Sequence, residues 1–337
     1  MKIQFKFADN VAYDIECAED ENILAAAIKS EVPVLSQCQS GTCGTCVAKL
    51  LSGEADFAIG QSSSLLQSER DAGLRLTCQC TPSSDCVFEI DYDSALGEVV
   101  SEHYESNVEE IEWVSNDVVR LKLALPEDDW FDFESGQFMQ VRIPGTDVWR
   151  SYSMASGVRD MPNIDLYIRI LPDGVMSNYL KSEAELGDLV ELEAPFGSFR
   201  LRKSKAQHIF VAGGTGLAPF LSMFEAIRLY SGTKPPILLS FGCATDAGLF
   251  GKTELEDAAF MLPNLDCRLS VEQKLDEDTE ALIGNPVTAI TAQDIQSEET
   301  VAYLCGPPGM IEAARNHLVE LGVNADNIFA EQFVSSG

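Results

Sequence analysis

Four cysteines carry the strongest chemical signal in this chain. Cys38, Cys43 and Cys46 lie in C-Q-S-G-T-C-G-T-C, and the segment L-T-C-Q-C follows at 76–80. A C-x4-C-x2-C run followed by a distant cysteine is the spacing that ligates a plant-type [2Fe–2S] cluster. Two irons bridged by two sulfides need four protein thiolates. Three come from the loop, and for the fourth Cys78 and Cys80 both qualify. Ser40, Gly41, Thr42, Gly44 and Thr45 are small enough for the loop to wrap closely around the inorganic atoms. Structural zinc also takes four thiolates, but its usual paired short spacings are missing.

Four further segments could hold nucleotide-like groups. G-G-T-G, comprising Gly213, Gly214, Thr215 and Gly216, follows an apolar run and precedes a helical pattern, a setting in which backbone N–H groups meet a pyrophosphate. It is not an ordinary dinucleotide fingerprint. Gly214 and Gly216 fit the first two glycines, but Pro219 stands at the third and no acidic residue lies about 20 positions on. C-G-P-P-G-M, beginning at Cys305 and Gly306, offers a second turn at the end of another apolar run. In R-S-Y-S, Arg150 suits phosphate, Tyr152 suits stacking on a flat ring, and Ser151 and Ser153 supply short hydroxyls. Gly174 and Ser177 in G-V-M-S mark a turn into a helix whose first N–H groups suit a pyrophosphate. His103, His208 and His317 form no spaced metal motif.

The elements that must position these residues fall into three compositional units. Residues 1–97 hold seven of the ten cysteines, with a short helix expected in E-N-I-L-A-A-A-I-K-S before the cysteine loop and a strand in C-V-A-K-L-L-S-G-E after it. Residues 98–202 contain short β-rich runs, V-V-R-L-K-L-A-L, F-M-Q-V-R-I and L-Y-I-R-I, separated by Pro- and Gly-bearing turns, as in a barrel or sandwich. Residues 203–337 alternate strand, glycine-rich loop and helix, which predicts a parallel sheet covered by helices. The chain has 23 basic and 54 acidic residues, a formal charge of −31, which excludes nucleic acid as a partner. No apolar run reaches transmembrane length. The start M-K-I-Q-F-K-F reads as a strand rather than a leader, and sparse, clustered cysteines point to a reducing cytoplasm.

The ordered set C-x4-C-x2-C, L-T-C-Q-C, R-S-Y-S, G-V-M-S, A-P-F-G-S-F, G-G-T-G-L-A-P-F-L-S-M, Y-L-C-G-P-P-G-M and F-A-E-Q-F resembles the ferredoxin–NADP reductase superfamily over essentially the whole chain. Within it, the chain is similar to reductase components of bacterial aromatic-ring dioxygenases of the benzoate, toluate and anthranilate type. The resemblance implies an α+β β-grasp ferredoxin domain, an antiparallel FAD barrel and an α/β NADH domain. It favours Cys78 over Cys80 as the fourth ligand. It implies that Arg150 contacts the FAD pyrophosphate, Tyr152 packs on the isoalloxazine and Ser153 lies beside its reactive nitrogen, with Gly174 and Ser177 completing the phosphate site. Gly213, Gly214, Thr215 and Gly216 would cradle the NADH pyrophosphate, with Cys305 and Gly306 near the nicotinamide and Glu331 near the flavin. Phe333 stands where relatives carry a ring-covering aromatic, and a C-terminal anchor is an equally physical role. Ala244 replaces an arginine found in many relatives, so a 2′-phosphate lacks a cationic partner, while Asp246 suits a ribose hydroxyl or a solvated loop. Gly248 replaces the family's usual aspartate. Ser153, Cys305 and Glu331 would thus shape a hydride-transfer pocket. The implied function is electron transfer from NADH through FAD and the cluster to a separate Rieske-type oxygenase. The alternatives are the reductase of a di-iron monooxygenase and a non-enzymatic carrier or scaffold.

Overall fold

A computed structural model describes residues 1–57 and 64–333. The chain divides into two compact units, Met1–Ser101 with Phe196–Ser198, and Glu102–Pro195 with Phe199–Gly337.

The first unit is a five-stranded mixed sheet in the order Ala12–Glu16, Lys2–Lys6, Cys86–Glu89, Val47–Ser52, Leu74–Leu76. Lys2–Lys6 pairs antiparallel with Ala12–Glu16 and parallel with Cys86–Glu89. The expected helix spans Ile23–Lys29, and the Asn22 side chain caps it by accepting from the Ala25 N–H at 2.8 Å, an interaction worth about 1 kcal/mol. Its Ile23, Leu24, Ala26 and Ala27 bury against Ile3, Phe5 and Phe88. That packing fixes the sheet from which the cysteine loop projects.

The second unit holds two sheets. Six strands run in the order Trp149–Ser153, Phe138–Arg142, Leu189–Phe196, Glu102–Trp113, Val118–Ala124, Asn163–Arg169. Val118–Ala124 alternates buried and half-buried side chains, as a strand with one face in a barrel core requires. Beyond Ser153 the Ala155 N–H donates to the Asp165 carbonyl at 2.9 Å, drawing the first strand of this order back to the last. The other sheet is parallel throughout, in the order Leu282–Ile283, Leu265–Gln273, Ile237–Thr245, His208–Gly213, Val301–Gly306, Ile328–Gln332. The helices Ala218–Arg228, Lys252–Met261 and Pro308–Glu320 accompany it. Phe210 stacks on Tyr303 at 4.9 Å and meets Phe220 and Phe224 edge-on. Each such pair adds about 0.5–1.5 kcal/mol beyond area burial. The edge strand Ile328–Gln332 was not anticipated from F-A-E-Q-F, and it sets Glu331 level with Cys305.

Glycine is demanded where two strand-end loops press together. A Cβ on Gly216 would sit 2.2 Å from the Cys305 carbonyl oxygen, and one on Gly213 would sit 2.6 Å from Met310 Sδ. Gly216→Ala is therefore expected to cost at least about 2 kcal/mol, read as a lower midpoint in thermal unfolding. Gly309→Ala, in a helix and with nothing within 4 Å of the added carbon, is expected to stay within about 0.5 kcal/mol of the parent.

Candidate functional site

The cysteine loop enters left-handed backbone at Gln39, Gly41 and Gly44, with φ of 52°, 82° and 75°. Two of these three positions are glycine because a Cβ there is strained. The turns aim backbone N–H groups inward. Ser40 and Cys43 donate to Cys38 Sγ at 3.4 and 3.3 Å, Thr45 donates to Cys43, and Gly41 donates to Cys78. Thr77 binds the Cys46 carbonyl through both its N–H, at 3.1 Å, and its hydroxyl, at 3.0 Å. This double tie carries the next residue, Cys78, onto Cys46. Cys80 instead lies in the short strand Cys80–Pro82 opposite Phe57, where burial pushes its thiol up to about 12.

The four cysteines pair two and two. Cys43 hydrogen-bonds to Cys38, which holds Cys38 down to about 3 and pushes Cys43 above the ordinary thiol range. Cys46 and Cys78 share a proton in the same sense, Cys46 raised and Cys78 lowered. Cys38 and Cys43 are half-buried, whereas Cys46 and Cys78 are buried. Among the described residues no three such side chains gather at one ion position. Two thiolates for each of two irons is the donor set that a [2Fe–2S] cluster uses.

In the second unit, Ser153, Cys305 and Glu331 come together from sequence positions far apart. Ser153 Oγ donates to Glu331 Oε2 at 2.9 Å. Cys305 is fully buried beside Glu331 in the strand register, and burial, followed by the carboxylate's charge, raises its thiol well above the usual range. Burial pushes Glu331 up to about 7 despite the opposing Ser153 hydrogen bond. Phe333 is tied back by its N–H to the Gly306 carbonyl at 2.9 Å. Gly306 itself has φ of 147°, with the Gly213 backbone 3.1 Å from where a Cβ would stand.

The expected phosphate groups are not equivalent. Gly213 and Gly216 face protein, whereas Gly214, at φ of 54°, has nothing within 4 Å and leaves its side of the loop open beside Thr215. Gly309, in the C-G-P-P-G-M segment, is open in the same way. Arg150 makes its one side-chain hydrogen bond to the Trp149 carbonyl, at 3.0 Å, and has no carboxylate partner among the described residues. In so acidic a chain, an arginine without an acid is equipped for an anion. Tyr152 is half-buried on the same strand, and burial pushes its phenol upward. Gly174 caps the helix Val175–Ser182, and a Cβ there would meet Ser177 Oγ at 2.9 Å.

Three of the expected residues already hold hydrogen bonds within the protein. Ser151 is exposed, and its hydroxyl accepts from Gln140 Nε2 at 2.8 Å across the barrel wall. Ser177 is buried and accepts the Leu171 N–H at 2.9 Å, closing the turn before its helix. Asp246 places its two oxygens on the N–H groups of Leu275 and Asp276, at 2.8 and 2.7 Å, and those bonds hold its carboxyl below the usual range.

Comparison with known proteins follows the same three parts. The 2Fe-2S iron-sulfur cluster binding domain family matches residues 7–83, the oxidoreductase FAD-binding domain family 105–201 and the oxidoreductase NAD-binding domain family 210–316. The chain is 32% identical to the 2-halobenzoate 1,2-dioxygenase electron transfer component of Burkholderia cepacia, over 98% of this chain and 97% of that one. The chain belongs to the iron–sulfur flavoprotein electron-transfer reductases. It is 30% identical to the reductase component of propane 2-monooxygenase from Mycolicibacterium smegmatis, over 99% and 97% of the two chains. Among solved structures it is similar to the Amycolatopsis cytochrome P450 reductase GcoB, with a TM-score of 0.71 and 26% identity over 99% of each chain. The reductase is thus an oxidoreductase using NADH, FAD and a [2Fe–2S] cluster. The reading as a non-enzymatic carrier is set aside.

The paired thiols fit the cluster, the unpartnered Arg150 and the helix start at Val175 fit the FAD diphosphate, and the open side of Gly214 fits a second diphosphate. Cys78→Ser is expected to abolish the cluster's visible absorbance and at least halve bound iron, while Cys80→Ala keeps both and NADH-to-ferricyanide turnover survives in each. Iron assay with absorbance spectroscopy decides. Glu331 is neutral below about pH 7 and anionic above it. An anionic Glu331 would oppose the negative charge that bound FAD would gain on reduction, so stopped-flow flavin reduction is expected to slow as pH rises through about 7. Glu331→Gln, neutral throughout, is expected to flatten that profile.

Proposed function

We propose that this reductase passes electrons from NADH through FAD and its own cluster directly to a separate Rieske-type oxygenase acting on an aromatic carboxylate or close analogue. Its domains would span 1–97, 98–202 and 203–337, and its setting would be cytoplasmic. Bound FAD supplies the conversion between the two-electron chemistry of NADH and the one-electron chemistry of the cluster. Arg150 and the first amides of Val175–Ser182 hold the FAD diphosphate, with Tyr152 against the ring. Gly174 lets the chain approach closely. Gly214 and Thr215 receive the NADH diphosphate, while Gly213 and Gly216 let that loop pack on Cys305 and Gly306.

Ser153 and Cys305 border the space where hydride passes, and Glu331 holds or releases a proton at Oε2 according to pH. The buried Cys305, its thiol kept protonated, excludes water there and is not a nucleophile. Phe333 covers or anchors the same corner. Ala244 is exposed at the end of Ile237–Thr245 and offers no charge to a 2′-phosphate, which supports NADH over NADPH.

The observation that carries this reading is end-to-end similarity to the electron transfer component of a halobenzoate dioxygenase, combined with a cluster loop whose tip faces solvent. Gln39, Ser40 and Thr42 are exposed, next to the half-buried Cys38 and Cys43. An electron can leave there without an intermediary ferredoxin. Similarity of the same extent to a propane 2-monooxygenase reductase favours a second reading, with a di-iron hydroxylase as acceptor. The organic substrate binds the oxygenase in either case.

Reconstitution with purified oxygenases, NADH and oxygen distinguishes them. Product formation stoichiometric with NADH is expected with a Rieske-type oxygenase of aromatic carboxylates and no added ferredoxin. Coupling only to a di-iron hydroxylase would transfer the assignment to the second reading, and an obligatory ferredoxin would contradict direct exit.

A further inference from the structure

Two polar side chains at the cluster loop have no part in the function described above. Gln79 is 7% exposed, and its Nε2 lies 3.7 Å from Cys78 Sγ. Its Oε1 is buried with no hydrogen-bond partner among the described residues. Thr45 is 2% exposed, stands in the loop between Cys43 and Cys46, and its hydroxyl likewise has no hydrogen-bond partner among the described residues. Burying an amide or hydroxyl without full satisfaction is unfavourable, and an apolar side chain would avoid it. What these groups have in common is a donor near a ligand sulfur. They also adjoin different ligands, Thr45 between Cys43 and Cys46 in the loop and Gln79 against Cys78.

We propose that Gln79 and Thr45 raise the reduction potential of the cluster by donating hydrogen bonds to its sulfurs, Gln79 to Cys78 and Thr45 to a sulfur held in the loop where it stands. The inference rests on those four cysteines being the ligands. When one electron enters from the flavin, one ferric ion becomes ferrous and the negative charge spread over the sulfurs grows by one. A donor N–H or O–H stabilises the reduced state more than the oxidised state, and hydrogen bonds to sulfur are among the factors that set such potentials. The Thr45 hydroxyl rotates freely enough to turn its proton to a thiolate. Both are positioning residues. They neither ligate iron nor touch NADH.

The test is a redox titration of the holoenzyme followed by EPR of the reduced cluster. At the midpoint of the unaltered protein, Gln79→Met and Thr45→Val are each expected to raise the oxidised-to-reduced ratio about three- to tenfold. For a one-electron couple that is a fall of about 30–60 mV. Thr45→Ser keeps the donor and is expected to keep the midpoint. Gln79→Glu keeps the size but presents an acceptor, and is expected to lower the midpoint further. Should an apolar variant lose its iron, these two smaller changes decide. Unchanged midpoints in Gln79→Glu and in the iron-bearing apolar variants would overturn the proposal and leave the cluster assignment standing. Absence of a cluster signal from the unaltered protein would overturn both.

Discussion

Two loops at the ends of neighbouring parallel strands touch backbone to backbone, and the reaction centre is built on that contact. Gly216 lies where any Cβ would collide with the Cys305 carbonyl, and Gly306 lies against the Gly213 backbone. Only hydrogen fits between them. Because the loops close on each other there, an open side of the first loop is left at Gly214, at the carboxyl end of the sheet where α/β folds bind ligands. The same contact keeps Cys305 level with Glu331, and Glu331 accepts the Ser153 hydroxyl from the barrel. A nucleotide sheet and a flavin barrel thus meet at one hydrogen bond that joins residues 178 positions apart.

Further contacts hold the barrel and the nucleotide sheet in register. Tyr167, on a barrel strand, donates to Glu254 at 2.8 Å, and Arg120 approaches the same carboxylate at 3.4 Å while also pairing with Glu110 and Glu112. Arg120 and Glu254 are partly exposed, so the ionic part is worth little, about 0–1 kcal/mol. The Tyr167 hydrogen bond and its ring against Phe250 contribute more specifically, since Tyr167 is buried. Such a link orients without rigidly locking. Exchange of NADH for NAD+ during turnover is compatible with a joint of that strength.

The most legible parts of this molecule were local ones. The cysteine triad is a single loop, so its spacing alone specified the metal chemistry. Helix Ile23–Lys29, strand Val118–Ala124 and the strand–loop–helix at His208–Arg228 each announce themselves by short-range periodicity and turn residues. Spacing could not separate Cys78 from Cys80. That distinction depends on Thr77 binding the Cys46 carbonyl, a contact across 31 residues. The partners of Asp246 are hidden in the sequence for the same reason, since they lie 29 and 30 residues away. The three glycines of G-G-T-G look alike in the sequence, yet two face protein and one faces open space. The edge strand at Ile328–Gln332 takes its pairing from Val301–Gly306, which no periodicity within five residues discloses.

The central claim is that one chain converts hydride chemistry into single-electron delivery through a cluster held by two pairs of thiols. An anaerobic titration of the holoenzyme with NADH, followed by absorbance and quantitative EPR, addresses it most directly. The account predicts that flavin absorbance bleaches and that the cluster accumulates about one unpaired spin per chain, with g-values typical of a reduced [2Fe–2S] centre. Full flavin bleaching with no cluster spin would contradict it, since electrons would then reach the flavin and stop there.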